Sequence, residues 1–263
     1  MNPLAHLRAW RHRRILARHP LDDTLWRDTV AALPLLAGLA TGELARLRDL
    51  ATLFVHDKRF SGAHELAVDE RMRLAIAAQA CLPVLALGSR WLRGWTSVIV
   101  YPDTFVVDLE EADADGVVHA LRDARIGEAW ERGPLILSWR DAAPGAEPFG
   151  AGSNVVVHEI AHKLDQLDGV SNGCPPLPRG MDRRVWQRTF QAAYDALCRE
   201  VEQGRATWID PYAAEAPEEF FAVLSEHFFT APDAVADLVP AVYDQLRAFY
   251  RQDPLARLTT ASG

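Results

Sequence analysis

The residues His158-Glu159-Ile160-Ala161-His162 set two imidazoles four positions apart, with a carboxylate beside the first. On an α-helix, positions i and i+4 lie one above the other, so both rings can point at a single metal ion. Zinc suits such a pair when a third protein ligand completes the set and a fourth position stays open for water. Glu159, rotated about 100° around the axis from His158, falls beside the ion instead of ligating it, where it can take a proton from water. Chance alone puts this pattern into roughly two of every hundred chains of similar composition. The surrounding sequence therefore has to carry the reading.

That context describes a helix. Ile160, Ala161, Leu164 and Leu167 recur at helical spacing after three valines, residues 155–157, that would otherwise favour a strand. Residues 150–154 supply a flexible approach with Ser153 and Asn154 as N-cap candidates, and Gly169 supplies a stop. A buried helix of about four turns is expected, with the histidine pair near its middle.

One helix cannot surround a tetrahedral ion, so the third ligand has to come from another element. Residues 210–229 open with proline and acids and continue with an apolar helical period. Glu218, in the first turn, reads as a complement to the helix dipole. Glu219 falls in phase with Phe220, Val223, Leu224 and Glu226 on the side expected to be buried, and a buried carboxylate needs a cation or a donor. It is the candidate third ligand. A zinc-bound histidine usually gives its second ring N–H to a carboxylate or carbonyl, and Asp165 and Glu226 are the candidates for that part.

The run NVVVHEIAHKLDQLDG, followed by Tyr212, then Glu219 seven residues on, then FFAVLSEHFF, resembles the bacterial Mlc titration factor A family of zinc metallopeptidases. Residues 76–83, 98–102 and 133–139 add to the likeness, which extends from about residue 55 to about residue 230. The catalytic core is also similar to the protease domain of anthrax lethal factor. That domain shares the Tyr-x6-Glu-Phe-Phe arrangement and an aspartate three residues past the second histidine. Position by position, the resemblance implies zinc ligation by His158, His162 and Glu219, with Glu159 as general base and Tyr212 donating its hydroxyl to the developing oxyanion.

The activity so implied is hydrolysis of short peptides, aminopeptidase-like, without a covalent intermediate. It also implies a regulatory alternative, in which the protein binds and titrates an Mlc-like glucose repressor and peptidase activity is secondary. A purely structural zinc site is disfavoured, because it would offer four protein ligands, usually including cysteine. Cys81 lies in an apolar run, where a thiol is ordinarily a small buried hydrophobe and not a nucleophile.

Composition supplies the frame. With 263 residues, 49% hydrophobic and 24% charged, the chain has the make-up of a globular protein. A net charge of −8 argues against direct nucleic-acid binding. Arg8, Arg11, Arg13, Arg14 and Arg18 make the start locally basic, which reads as a solvated terminal helix or as an amphipathic surface for a membrane or partner. Three cysteines without a CxxC pair, and the lack of a signal-like or membrane-spanning run, lead to the expectation of a cytoplasmic protein with no membrane partner.

Helical spacing covers residues 22–33, 41–53 and 69–81, with Asp22 and Thr41 as caps. Short strands are expected at 97–101, 105–107 and 135–139. Long helices follow at 182–203, 217–229 and 233–251. The fold class is therefore α+β, mostly helical, with a small central sheet. The resemblance makes it zincin-like, with strand 135–139 at the edge above the metal. A single domain is expected, with a helical part over residues 1–82 and a catalytic part over residues 83–263. Leu238, Val242, Leu246 and Tyr250 belong to a helix that either covers the core or gates the cleft.

Overall fold

The computed structural model describes residues 3–103, 133–145 and 152–261. Helix α1 (Pro3–Arg18) carries no acid in its first turn and buries Ile15, while Leu7 and Trp10 remain exposed. Arg11 binds Asp57 of α3 (Thr41–Asp57) through both guanidinium nitrogens, at 2.6 and 3.2 Å, which fastens the basic helix to the body of the protein. Asp22 caps α2 (Asp23–Ala31) as its sequence suggests, accepting from the Leu25 N–H at 2.8 Å. Ala40, not Thr41, is the cap position of α3, because Glu43 reaches back to the Ala40 N–H at 2.9 Å. Helix α4 (Glu70–Cys81), capped by Asp69, is buried continuously from Leu74 to Cys81. An apolar surface all round a helix demands that position in the core.

Three parallel strands lie in the order β1 (Arg59–Gly62), β2 (Ser97–Tyr101) and β3 (Leu135–Ser138), with Phe60 opposite Val98 and Val98 opposite Leu135. Val98, Val100, Leu135 and Leu137 are fully buried. Strand β1 falls inside the part whose sequence signals only helices. Its Arg59, Ser61 and Gly62 are exposed, so no apolar alternation announces it. The strand expected at 105–107 lies outside the described residues. Trp139, expected to end the third strand, instead opens a single helical turn, α5 (Trp139–Ala142).

The motif helix is α6 (Val155–Asp165), prolonged by a 3-10 turn over Gln166–Asp168 that ends at Gly169 with φ 92°. Asn154 is its cap, accepting from the Val157 N–H at 2.9 Å. Helix α7 (Arg183–Glu202) and a 3-10 turn at Pro211–Ala214 lead to α8 (Pro217–Thr230), the helix of Glu219. Residues 233–251 do not form one helix. Pro240 lacks an N–H and drives Val239 to φ −136°, ψ 59°, which splits the segment into α9 (Pro232–Leu238) and α10 (Pro240–Tyr250). Val242, Leu246 and Tyr250 are buried, and the Tyr250 hydroxyl bonds Ser225 Oγ at 2.8 Å, so α10 closes the core; Leu238 is exposed. Helix α11 (Pro254–Ala261) follows.

The architecture is mostly helical α+β around one contiguous core, in which Trp186 stacks on Phe190 at 4.2 Å and meets Phe221 edge-on at 5.8 Å. No helix among the described residues is long and apolar enough to cross a membrane.

Asp165, the last residue of α6, is fully buried and accepts from the backbone N–H groups of Asn172 and Gly173 at 2.8 and 2.7 Å. Burial outweighs those two bonds and lifts its pKa to about 6. An acid whose folded pKa exceeds its unfolded value of about 3.9 binds protons more tightly when folded, so folding gains as pH falls from about 7 to about 4. Relative to Asp165→Asn, wild-type stability should therefore rise by about 2 kcal/mol between about pH 7.5 and 4.5. Urea titrations of both proteins in chelator, which removes any metal contribution, measure this. A pH-independent gap would contradict it.

Candidate metal centre

Helices α6 and α8 lie side by side and antiparallel. At one end the Glu226 carboxylate of α8 accepts from the Asn154 N–H and from the His158 ring. Close by, Thr230 Oγ1 is 2.7 Å from the Gly152 carbonyl. A side chain at position 152 is excluded, since a Cβ there would sit 2.5 Å from His227. At the other end Asp165 holds the loop that touches Pro217. This seating brings His158 and His162 of one helix against Glu219 of the other.

The three ligand-type atoms form a small triangle. His158 Nε2 is 3.0 Å from His162 Nε2, and Glu219 Oε2 is 3.2 and 3.4 Å from those two nitrogens. Ligands about 2.0–2.2 Å from a common tetrahedral ion stand roughly 3.3–3.6 Å apart, close to the observed edges. Glu219 Oε2 is buried without an aligned hydrogen bond, although both rings are near. Short contacts without alignment are what converging lone pairs produce, so the donor set fits a cation shared by all three. His158, His162 and Glu219 make up the one cluster among the described residues able to hold a metal ion. Their side chains keep 15, 16 and 18% exposure, so the cluster is not fully sealed from solvent.

The charges are strongly coupled. Burial works against an imidazolium at His158, but Glu219 and Glu226 outweigh it and raise its pKa to about 10. Burial likewise opposes ionisation of Glu219, yet the two imidazoles hold its carboxyl far below the usual range. Without a metal, the Glu219 carboxylate is thus balanced by a proton on His158.

Glu226, one of the two carboxylates suggested as a histidine partner, lies 2.6 Å from His158 Nδ1. With the Nδ1 hydrogen given to Glu226, it is the Nε2 side of the ring that faces Glu219 and His162, and its lone pair becomes available to a cation once the second ring proton is lost. Asp165, the other suggestion, spends its bonded oxygen on the Asn172 and Gly173 backbone. Glu159 follows His158 on α6 and is partly buried. Tyr212 sits partly buried in the 3-10 turn at Pro211–Ala214, packed against the core ahead of α8. Glu218 stays in the first turn of α8, outside the triangle.

Gln79 is a site residue that the sequence analysis passes over. Its amide nitrogen donates to the Ala142 carbonyl at 2.9 Å, and its oxygen accepts from Asn154 Nδ2 at 2.8 Å. The cap of the motif helix is thereby tied to α4 and α5. A lone amide within the apolar run 76–82 was the available signal.

Mlc titration factor A of Salmonella arizonae is 41% identical over 239 residues, covering 90% of this chain and 94% of that protein. Its counterparts from Salmonella schwarzengrund and Salmonella typhi are each 40% identical, over 90% and 92% of this chain and 89% and 91% of their own lengths. The family described as glucose-regulated metallo-peptidase M90 matches residues 7–251, so the chain belongs to that metallopeptidase family.

Proposed function

We propose that the protein is a zinc-dependent peptidase acting on short peptides in an aminopeptidase-like manner. The observation that carries the reading is the convergence of His158 Nε2, His162 Nε2 and Glu219 Oε2, with Glu159 next to the first ligand. Two imidazoles and one carboxylate are a donor set that zinc accepts while keeping a position open. Zinc held there supplies Lewis acidity, which activates water and polarises the peptide carbonyl. Glu159 takes the proton from the attacking water and passes it to the leaving amine. Tyr212 donates its hydroxyl to the oxyanion as charge builds there. Strand β3, in a zincin-like arrangement, offers an edge along which an extended substrate pairs.

The regulatory reading has its own support, because the relatives' name, Mlc titration factor A, describes titration of Mlc. On that reading this chain binds an Mlc-like repressor as well. A cytoplasmic location suits both roles, and Cys81, Cys174 and Cys198 are all unpaired, as a reducing compartment requires.

Hydrolysis of amino-acid p-nitroanilides should fall about 10²- to 10⁴-fold in Glu159→Gln while zinc content per chain is kept. Equal rates in the two proteins would remove Glu159 from the chemistry. A repressor bound equally well by this variant would separate titration from hydrolysis. Glu226→Gln offers one acceptor oxygen where two donors, the Asn154 N–H and the His158 ring, need one each. Zinc affinity, measured by chelator competition, should drop about ten- to hundredfold. Unchanged affinity would show that Glu226 does not orient His158.

A further inference from the structure

We infer that Asp165 and Gly173 form a clamp that sets where Glu219 stands relative to the two histidines, which makes Asp165 a positioning residue for the metal centre. The inference rests on His158, His162 and Glu219 being the metal ligands. Its geometry is independent of the ring contacts made by Glu226 at the other end of the helix pair.

Asp165 lies three residues beyond His162, and its Oδ2 takes the N–H groups of Asn172 and Gly173. Asn172 Oδ1 accepts from the Cys174 N–H at 3.0 Å and closes the turn. Gly173 has φ +71°, and its carbonyl accepts from the fully buried Trp186 indole N–H at 3.0 Å. The peptide at Gly173 is therefore held from both sides. A Cβ on Gly173 would stand 2.4 Å from the Pro217 carbonyl oxygen and 3.4 Å from the Glu218 backbone nitrogen. The clamp thus presses on the first turn of α8, two residues ahead of Glu219.

That turn has no side-chain cap. Its cap position is Ala216, which makes no side-chain capping bond, and Pro217 at the first helical position has no N–H. Metal ligands have to be held within about 0.5 Å of their working positions. Displacing Pro217 far enough to admit a methyl group exceeds that tolerance, since non-bonded carbon and oxygen atoms do not approach to 2.4 Å. The sequence places Asp165 three residues after His162 but Gly173 forty-four residues before Pro217, so the contact joins the end of one candidate ligand helix to the start of the other across a long stretch of chain.

The test uses full-length protein and reads zinc affinity by chelator competition, together with the visible spectrum of the cobalt-substituted form and thermal midpoints. Gly173→Ala should weaken zinc about ten- to hundredfold and lower the intensity of the tetrahedral cobalt bands, although no ligand is altered. Gly180 also has a positive φ, +96°, but nothing lies within 4 Å of a Cβ there. Gly180→Ala therefore controls for backbone strain and should bind zinc as wild type does. Asp165→Ala should resemble Gly173→Ala, whereas Asp165→Asn, whose amide oxygen can accept both N–H groups, should recover most of the affinity.

Trp186→Phe keeps a ring in the core and removes the donor to Gly173, and it should weaken zinc severalfold even if Gly173→Ala does not fold. Folded variants of Gly173, Asp165 and Trp186 that bind zinc like wild type would overturn the clamp. So would equal losses in Gly173→Ala and Gly180→Ala. A wild-type protein that binds no zinc would instead overturn the ligand assignment.

Discussion

The antiparallel seating of α6 against α8 is the constraint on which the metal centre depends. Two ligand-type nitrogens come from one helix and one oxygen from the other, so a small slide between the helices would open the triangle. Each end is fixed by a buried carboxylate. Glu226 grips the Asn154 N–H and the His158 ring at one end, and Asp165 grips the Asn172–Gly173 backbone at the other. Leaving a buried donor or acceptor unpaired costs about 1–3 kcal/mol, so a slipped register that broke these bonds would be strongly disfavoured. Apolar contact between two helices tolerates sliding far better, because burying the same area in a neighbouring register is nearly as favourable.

Much of the candidate cluster was legible because helical geometry is local. Four residues between histidines, and Glu219 in phase with Phe220 and Val223, are statements about a single helix. The meeting of the two helices is not local, and there the sequence carried less. Asp165 was legible as a candidate partner for a histidine ring but not as the anchor of a loop, since a side chain at a helix terminus has both the helix face and the following turn within reach. Gly173 gave no signal, because its requirement arises from the Pro217 carbonyl of another element. Strand β1 was illegible for a different reason: it is four residues long and mostly exposed, so parallel pairing with β2 specifies it and its own pattern does not. At Pro240 the apolar period continues through a break that the missing N–H enforces, so periodicity alone does not reveal it.

The site is also coupled to the first third of the chain. Gln79, in a helix buried continuously from Leu74 to Cys81, joins Ala142 to Asn154, and Asn154 caps the motif helix while giving its N–H to Glu226. A hydrogen-bonded path therefore runs from α4 through the cap to the His158 ring. Such a path explains why an amide occupies an otherwise apolar helix: each polar atom is satisfied, and the desolvation cost of the amide is offset by orientation of the cap. Residues 70–81 thus belong to the support of the metal centre, although none of them touches a ligand.

Hydrolysis and repressor titration make different demands on this arrangement. A metal that only stabilises a binding surface is best enclosed by four protein ligands, which shield it from water and from exchange. Here three candidate ligand atoms converge and their side chains stay partly exposed, while the charge of Glu159, the next residue along, acts on the His158 ring. An open side weakens a structural site and is required of a catalytic one. Binding a repressor calls for neither solvent access to the three side chains nor a neighbouring carboxylate, whereas activation of water by a metal uses both. The geometry of residues 158–162 and 219 therefore argues for chemistry at this centre whether or not another face of the protein also holds a partner.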